Sequence, residues 1–340
     1  SSVSAGWRFT EENFLKPVTG NWLSGGKIRL SYGGLGNNSG VGRYEQQETL
    51  AQRNYMINGS IAKGFVNQKM VNQDLSWEST YVFNAGLDLG FLKNRLTAEF
   101  DYYDRLTTGM NRPSDLSIHL TGAYVAPRKN IGDLRNRGIE VNLTWKDIIR
   151  EFTYSLNMNA SYNATRLEKW NEYLSKGNVF IDMPYYFVYS YEAVGIAQTW
   201  EDVYKNTPQG ASPGDVLLKD LNGDGQITAE DKRAYSHLQR EMPTTTFALN
   251  FNAAWKGFDA MVLLQGTAGR KDFWLTYWNS TNIQAQLYPS TWEHWTNPWS
   301  WENRDGKWPR LSGSSLNQYE STFWLDRSEE RRVGKECRSR

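Results

Sequence analysis

Twelve consecutive residues, Asp220-Leu-Asn-Gly-Asp-Gly-Gln-Ile-Thr-Ala-Glu-Asp231, place oxygen donors in the pattern of a calcium loop. Asp220, Asn222 and Asp224 stand at its first, third and fifth positions. Gly225 takes the sixth, where the chain must turn sharply, and Gln226 the seventh, where a backbone carbonyl serves. Alternate side-chain oxygens of a tightly coiled loop converge on one hard cation, and Ca2+ takes about six to eight of them. The twelfth position holds Asp231 in place of the longer Glu, with Glu230 beside it. The pattern predicts a Ca2+ held by Asp220, Asn222, Asp224, Gln226 and Asp231. The competing reading is an Asp/Asn/Gly turn that needs no metal. No nucleophile or base accompanies the loop, so such an ion would brace structure. No helix pair flanks it, which argues against a calcium sensor.

A second group is aromatic. Trp292, Trp295, Trp299, Trp301 and Trp308 crowd one stretch, with Trp274, Tyr277 and Trp278 just before it. Aromatic faces stack on sugar rings, so these residues are candidate contacts for a glycan or a partner. The alternative is that most of them pack the loop onto itself. His119, His237 and His294 are scattered without metal-ligand spacing. No Gly-x-Ser-x-Gly, His-Glu-x-x-His, phosphate loop or dinucleotide fingerprint occurs, and no enzyme is expected.

The elements that must carry these loops are strands. Ile139, Val141, Leu143 and Trp145 alternate with Glu140, Asn142, Thr144 and Lys146. After a short break Phe152, Tyr154, Leu156, Met158, Ala160 and Tyr162 alternate with Thr153, Ser155, Asn157, Asn159 and Ser161. A period of two gives each strand one greasy and one wet face. The alternation runs for about 9–11 residues, the length a tilted strand needs to cross a bilayer, whereas soluble strands average about 5–6. The same pattern marks 81–89, 96–103, 247–255 and 258–264, more briefly 2–9 and 27–32, and an aromatic strand at 185–191; 54–60 is a thin candidate. Glu99, Asp101, Glu140 and Lys146 fall on the wet side and are expected to line an aqueous interior. Short turns at 90–94, 146–151 and 256–257 alternate with long polar stretches at 107–136, 166–242 and 268–319. That is the asymmetry of outer-membrane barrels, and a soluble sandwich has no reason to sort its loops so.

Composition is compatible. The 340 residues are 39% hydrophobic, and a barrel wall hides its apolar residues in alternate positions. With 15 Trp and 19 Tyr the chain is rich in the residues of interfacial girdles and sugar-stacking loops. Arg327–Arg340 breaks the strand pattern and is identified as the in-frame translation of a common sequencing adapter, so it is expected to be non-native. It carries six Lys/Arg, three Glu and Cys337, the only cysteine, which leaves residues 1–326 at a net charge of −2. Nothing basic enough remains to suggest nucleic acid. A cysteine-free chain is permitted in the periplasm or outer membrane.

Several segments in fixed order resemble the SusC/RagA family of TonB-dependent outer-membrane transporters. They are Lys27-Ile-Arg-Leu-Ser-Tyr-Gly to Gly36-Asn37, Asp74-Leu-Ser-Trp-Glu through Asn84-Ala-Gly-Leu-Asp-Leu-Gly, and Asn94-Arg-Leu-Thr to Asp101-Tyr-Tyr-Asp. Asn130-Ile-Gly-Asp-Leu-Arg-Asn-Arg-Gly-Ile-Glu-Val, Pro213-Gly-Asp-Val to Asp231, and Ser321-Thr-Phe-Trp-Leu-Asp follow. The resemblance implies an all-β fold in which residues 1–326 form part of an antiparallel transmembrane barrel of about 22 strands. It implies a Bacteroidetes-type outer membrane, import of oligosaccharides or peptides, energy from the TonB complex and a SusD-like surface lipoprotein as lid. The family's TonB box and plug have no counterpart in residues 1–326. Roughly ten or eleven wall strands are expected here, too few to close a barrel without leaving edges in lipid, so this chain alone is not expected to insert as a pore. The alternative from another class is a soluble calcium-dependent glycan-binding β protein.

Overall fold

The computed structural model describes residues 1–16, 22–67, 70–114, 126–171, 180–185, 187–205, 210–239, 242–273, 295–311, 317 and 319–326. Its strands, in chain order, are β1 Ser2–Trp7, β2 Leu23–Asn37, β3 Leu50–Ile57, β4 Ser60–Asn67, β5 Glu78–Phe91, β6 Leu96–Pro113, β7 Arg128–Ile149 and β8 Phe152–Trp170. They continue with β9 Phe187–Tyr191, β10 Ala193–Ile196, β11 Val216–Leu218, β12 Lys232–Gln239, β13 Thr245–Trp255, β14 Phe258–Ala268, β15 Asp272–Phe273 and β16 Leu325–Asp326. One short helix, α1, spans Trp200–Lys205. The chain divides into two compact units, one of Ser1–Tyr185 with Thr245–Gln265, the other of Tyr186–Thr244 with Gly266–Arg340.

The first unit is an antiparallel sheet in the order β1-β2-β5-β6-β7-β8-β13-β14. Its register aligns the period-two patterns of successive strands. One row runs Trp7–Ile28–Leu87–Phe100–Val141–Ala160–Phe247 and a neighbouring row Lys27–Asp88–Glu99–Asn142–Asn159. Opposed residues of paired strands share a face, so seven strands present one continuous apolar side and one polar side. The apolar side is uncovered: Leu30, Phe83, Phe100, Ile139, Met158 and Phe247 all remain exposed.

Connections sort by length with one exception, 8–22 between β1 and β2, which is no shorter than 114–127 at the opposite end. At one end β1–β2 joins through 8–22, β5–β6 through 92–95, β7–β8 through 150–151 and β13–β14 through Lys256-Gly257. Leu92, Lys93 and Asn94, Arg150, Lys256 and Gly257 all have positive φ, the backbone that tight hairpins of right-twisted strands require. At the other end the connections are 38–77, 114–127 and 171–244.

Three expectations need correction. First, β6, β7 and β8 run on to Pro113, from Arg128 and to Trp170, well into stretches read as loops. Past Tyr102, Ile139 and Tyr162 the apolar side turns polar, so the alternation vanishes while the ladder continues. Arg135 holds it there, donating from Nε and Nη2 to Asp104 at 2.7 and 2.6 Å and from Nη1 to Glu168 at 3.1 Å. Second, among the described residues eight strands rather than ten or eleven form the wall, because the other described strands pair in two-stranded sheets of their own. Third, the candidate strand at 54–60 straddles a turn: Asn58-Gly59 joins β3 to β4.

The second unit gathers β9 with β12, β10 with β11, and β15 with β16. It has small cores of its own, one of Val188, Tyr235, Trp308 and Trp324, another of Ala197, Val203, Ala211 and Leu217. Stretches that read as irregular loops are therefore partly organised around buried side chains.

Candidate functional site

The calcium-like loop lies in the second unit, between buried β11 and a one-turn helix at Ala229–Asp231 that leads into β12. Each oxygen-bearing side chain of its first half bonds a backbone amide ahead of it. Asp220 accepts from Gly223 N at 2.6 Å and Gly225 N at 2.8 Å. Asn222 accepts from Asp224 N at 3.0 Å, and Asp224 from Gln226 N at 2.7 Å. Gly223 and Gly225 take positive φ, which lets so short a segment curl.

Asp231 behaves differently from its neighbours. It is fully buried. One carboxylate oxygen accepts from Leu221 N at 2.8 Å and Asn222 N at 3.4 Å, the other from Thr228 N at 2.7 Å. Thr228 returns the favour at the helix start by accepting from Glu230 N at 3.2 Å, a capping box. Burial alone pushes the Asp231 carboxyl up; the amides of Thr228, Leu221 and Asn222 outweigh it and hold the group below the usual carboxylate range. Asp231 thus clasps the two ends of the loop. Among the described residues no three of His, Cys, Asp and Glu stand together as a metal cage.

The tryptophans separate into two kinds. Trp299 and Trp308 are buried. Trp299 donates its indole N–H to Gln198 Oε1 at 2.9 Å, and Trp308 stacks on Trp324 with ring centroids 5.9 Å apart. Trp295 and Trp301 are exposed, Trp301 lying edge-on to Trp299 at 5.2 Å with Arg304 over its face. Trp292, Trp274, Tyr277 and Trp278 lie outside the described residues. Two features escaped the sequence. Trp200 and Tyr204, one turn apart on α1, are exposed with their rings 6.2 Å apart. Asp215 is fully buried and bound by Arg310 at 2.7 and 3.0 Å and by Asn317 at 3.0 Å. Those partners are about a hundred residues away, a separation that leaves no local signal.

On the wet side of the sheet, Arg29 links Asp88, at 2.7–3.0 Å, to Asp101 at 3.0 Å. It reaches Asp101 over Gly86, where a Cβ would come within 2.7 Å of the guanidinium carbon. Asn142 donates to Glu99 at 3.2 Å, and Asn157 to Asn142 and Thr144 at 2.9 and 2.7 Å. Glu99, Asp101 and Glu140 lie in these polar rows and Lys146 follows on the same side of β7, an arrangement suited to a solvated lining rather than an acid–base pair.

Comparison with known proteins gives this geometry its family. The chain is 30% identical over 291 residues to "TonB-dependent receptor P3" of Formosa agariphila, an alignment covering 79% of this chain and 28% of that protein. It is 28% identical over 299 residues to "TonB-dependent receptor SusC" of Bacteroides thetaiotaomicron, covering 84% and 29%. The chain belongs to the SusC/RagA-type TonB-dependent receptors. The same fold is seen in the solved RagAB peptide importer in its 'open-open' state, with a TM-score of 0.74 at 24% identity over 96% of this chain and 34% of that one. The RagAB peptide transporter superposes likewise, with a TM-score of 0.73 at 23% identity. This receptor chain spans less than a third of the length of the curated relatives it matches. No protein-family model matches it.

Proposed function

We propose that the eight-stranded sheet is a stretch of the wall of an outer-membrane importer in a Bacteroidetes-type bacterium. The importer takes up oligosaccharides or peptides, draws energy from the TonB complex and works with a SusD-like surface lipoprotein. The observation that carries this reading is the continuous exposed apolar face. A soluble β protein would bury such a face against a second layer. Here aromatics stand toward both of its ends instead, Trp145, Phe152 and Trp255 near the short turns and Tyr32, Tyr81, Tyr102 and Tyr162 toward the long connections. From Phe152 to Tyr162 a strand rising ~3.3 Å per residue at a tilt of ~45° climbs roughly 23 Å, close to the height of a barrel's lipid-facing band. The uncovered face also disfavours a soluble calcium-dependent glycan binder. Exposed Trp295 and Trp301 offer flat rings to cargo. The test is uptake of labelled oligosaccharides and peptides in the source bacterium with this gene or TonB deleted. Loss of the same cargo in both strains supports importer function. Unchanged uptake, with the protein recovered in the soluble fraction, overturns it.

We also propose that the 220–231 loop takes Ca2+ as a structural brace. The side chains of Asp220, Asn222, Asp224 and Asp231 and the carbonyl of Gln226 would hold it. The loop's own amide bonds already coil it and leave Asn222 and Asp224 exposed. Calorimetric titration should show Ca2+ binding in the parent and none in an Asp220→Ala/Asp224→Ala variant; no heat with the parent would end the proposal.

A further inference from the structure

Between β2 and β5 the chain leaves the wall to build a hairpin, β3–β4, that pairs with no other strand among the described residues. Its turn, Asn58-Gly59, has φ of 50° and 76°, the backbone of a tight two-residue hairpin. Tyr55 lies across Gly64, where any Cβ would strike its ring, so one face midway along the hairpin is covered from within. The tip is bare. Met56 is 75% exposed, Ile57 59% and Ile61 72%, and Phe65 behind them 67%. A lone two-stranded hairpin is marginal in water, and one that shows apolar residues on both faces needs something to cover them.

Charge says what. Residues 50–67 contain no Asp or Glu and two cations, Arg53 and Lys63. Register puts Arg53 opposite Gly64 and Lys63 opposite Asn54, so they project from opposite faces, a few residues behind the tip. Neither has a carboxylate partner among the described residues. An apolar tip with a cation on each flank matches a bilayer boundary, where acyl chains lie beneath a layer of phosphates and long basic side chains reach up to them. The hairpin is also within reach of one. β2 runs only from Tyr32 to Asn37 past the upper aromatics, roughly 17 Å, while each eight-residue hairpin strand is about 26 Å long.

We infer that the β3–β4 tip docks on the phosphate-bearing surface of the membrane that the sheet crosses, inserting Met56, Ile57 and Ile61 among the headgroups. The inference rests on the importer reading, and the experiment separates the two. The full chain is mixed with vesicles of phosphatidylcholine alone or of equal parts phosphatidylcholine and phosphatidylglycerol, and bound protein is read by flotation. A polarity-sensitive dye on Ile57→Cys, in a Cys337→Ser background, reports the tip. The expected result is binding to both vesicles, with blue-shifted dye quenched by brominated lipid only on the anionic ones. An Arg53→Gln/Lys63→Gln variant should lose about 30-fold in affinity for anionic vesicles at ~1 kcal/mol per basic residue, and keep the parent's affinity for neutral ones. Met56→Ser/Ile61→Ser should abolish quenching with the wall still bound. Binding with the dye water-exposed on both vesicles overturns the docking and leaves the wall reading intact. A dye buried only on mixing in a second protein gives the hairpin a protein partner and also overturns it. No binding to either vesicle overturns both.

Discussion

Asp231 spends three amide hydrogen bonds on closing the ends of a loop while itself excluded from water. In Asp231→Asn an amide replaces one acceptor oxygen and sets a donor against a donor, which should cost about 2 kcal/mol of local stability. The pH dependence follows from the lowered pKa. The clasp's contribution is present in full above the unfolded value of about 3.9 and is lost as pH falls through the lower folded value. The protection factors of the Leu221 and Thr228 amides against hydrogen exchange should therefore fall below about pH 4 in the parent. In Asp231→Asn they should be low at every pH. Equal protection in both proteins would dismiss the clasp. The spacing of Asp220, Asn222, Asp224 and Asp231 was legible in the sequence. The burial of Asp231 was not, since a ligand and a cap occupy the same place in such a pattern.

Among elements, alternation located the wall strands where one side meets an apolar medium, and it failed where both sides are wet. β7 shows the boundary: 139–145 announce themselves, whereas 128–136 are held by charge. Arg135→Ala removes the paired bonds to Asp104 and the one to Glu168. These groups are partly exposed, so the loss should be only about 1 kcal/mol. It should appear as faster amide exchange over 128–136 with no change over 139–145; uniform loosening of the strand would show that the charges do not act locally. The β3–β4 hairpin carried a signal that was passed over, the Asn-Gly pair between two short apolar runs.

At the scale of the molecule the two sides of the sheet predict opposite responses to the same substitution. Val141 lies mid-row on the apolar side and Asn142 beside it on the polar side. Val141→Arg should cost ~2–4 kcal/mol in lipid and Asn142→Arg less than about 1. Urea titration of the vesicle-bound protein measures both, and similar costs would mean that the apolar face does not meet lipid. The two-sidedness was readable from period two alone. The second unit was not, because its buried groups find one another across the chain, as Asp215 finds Arg310 and Asn317.

One arrangement in the sheet reaches beyond its own stability. β8 and β13 are hydrogen-bonded neighbours, Tyr162 opposite Thr245, although residues 171–244 lie between them in sequence. The wall's hydrogen-bond ladder thus passes from β8 to β13 without using any of that segment. Where a long excursion leaves and rejoins a scaffold at adjacent strands, its content can be rewritten while the scaffold's pairing stays the same. A graft between relatives must then carry 171–244 together with its partners at 308–324, because Val188 and Tyr235 pack on Trp308 and Trp324 and Asp215 is held by Arg310 and Asn317.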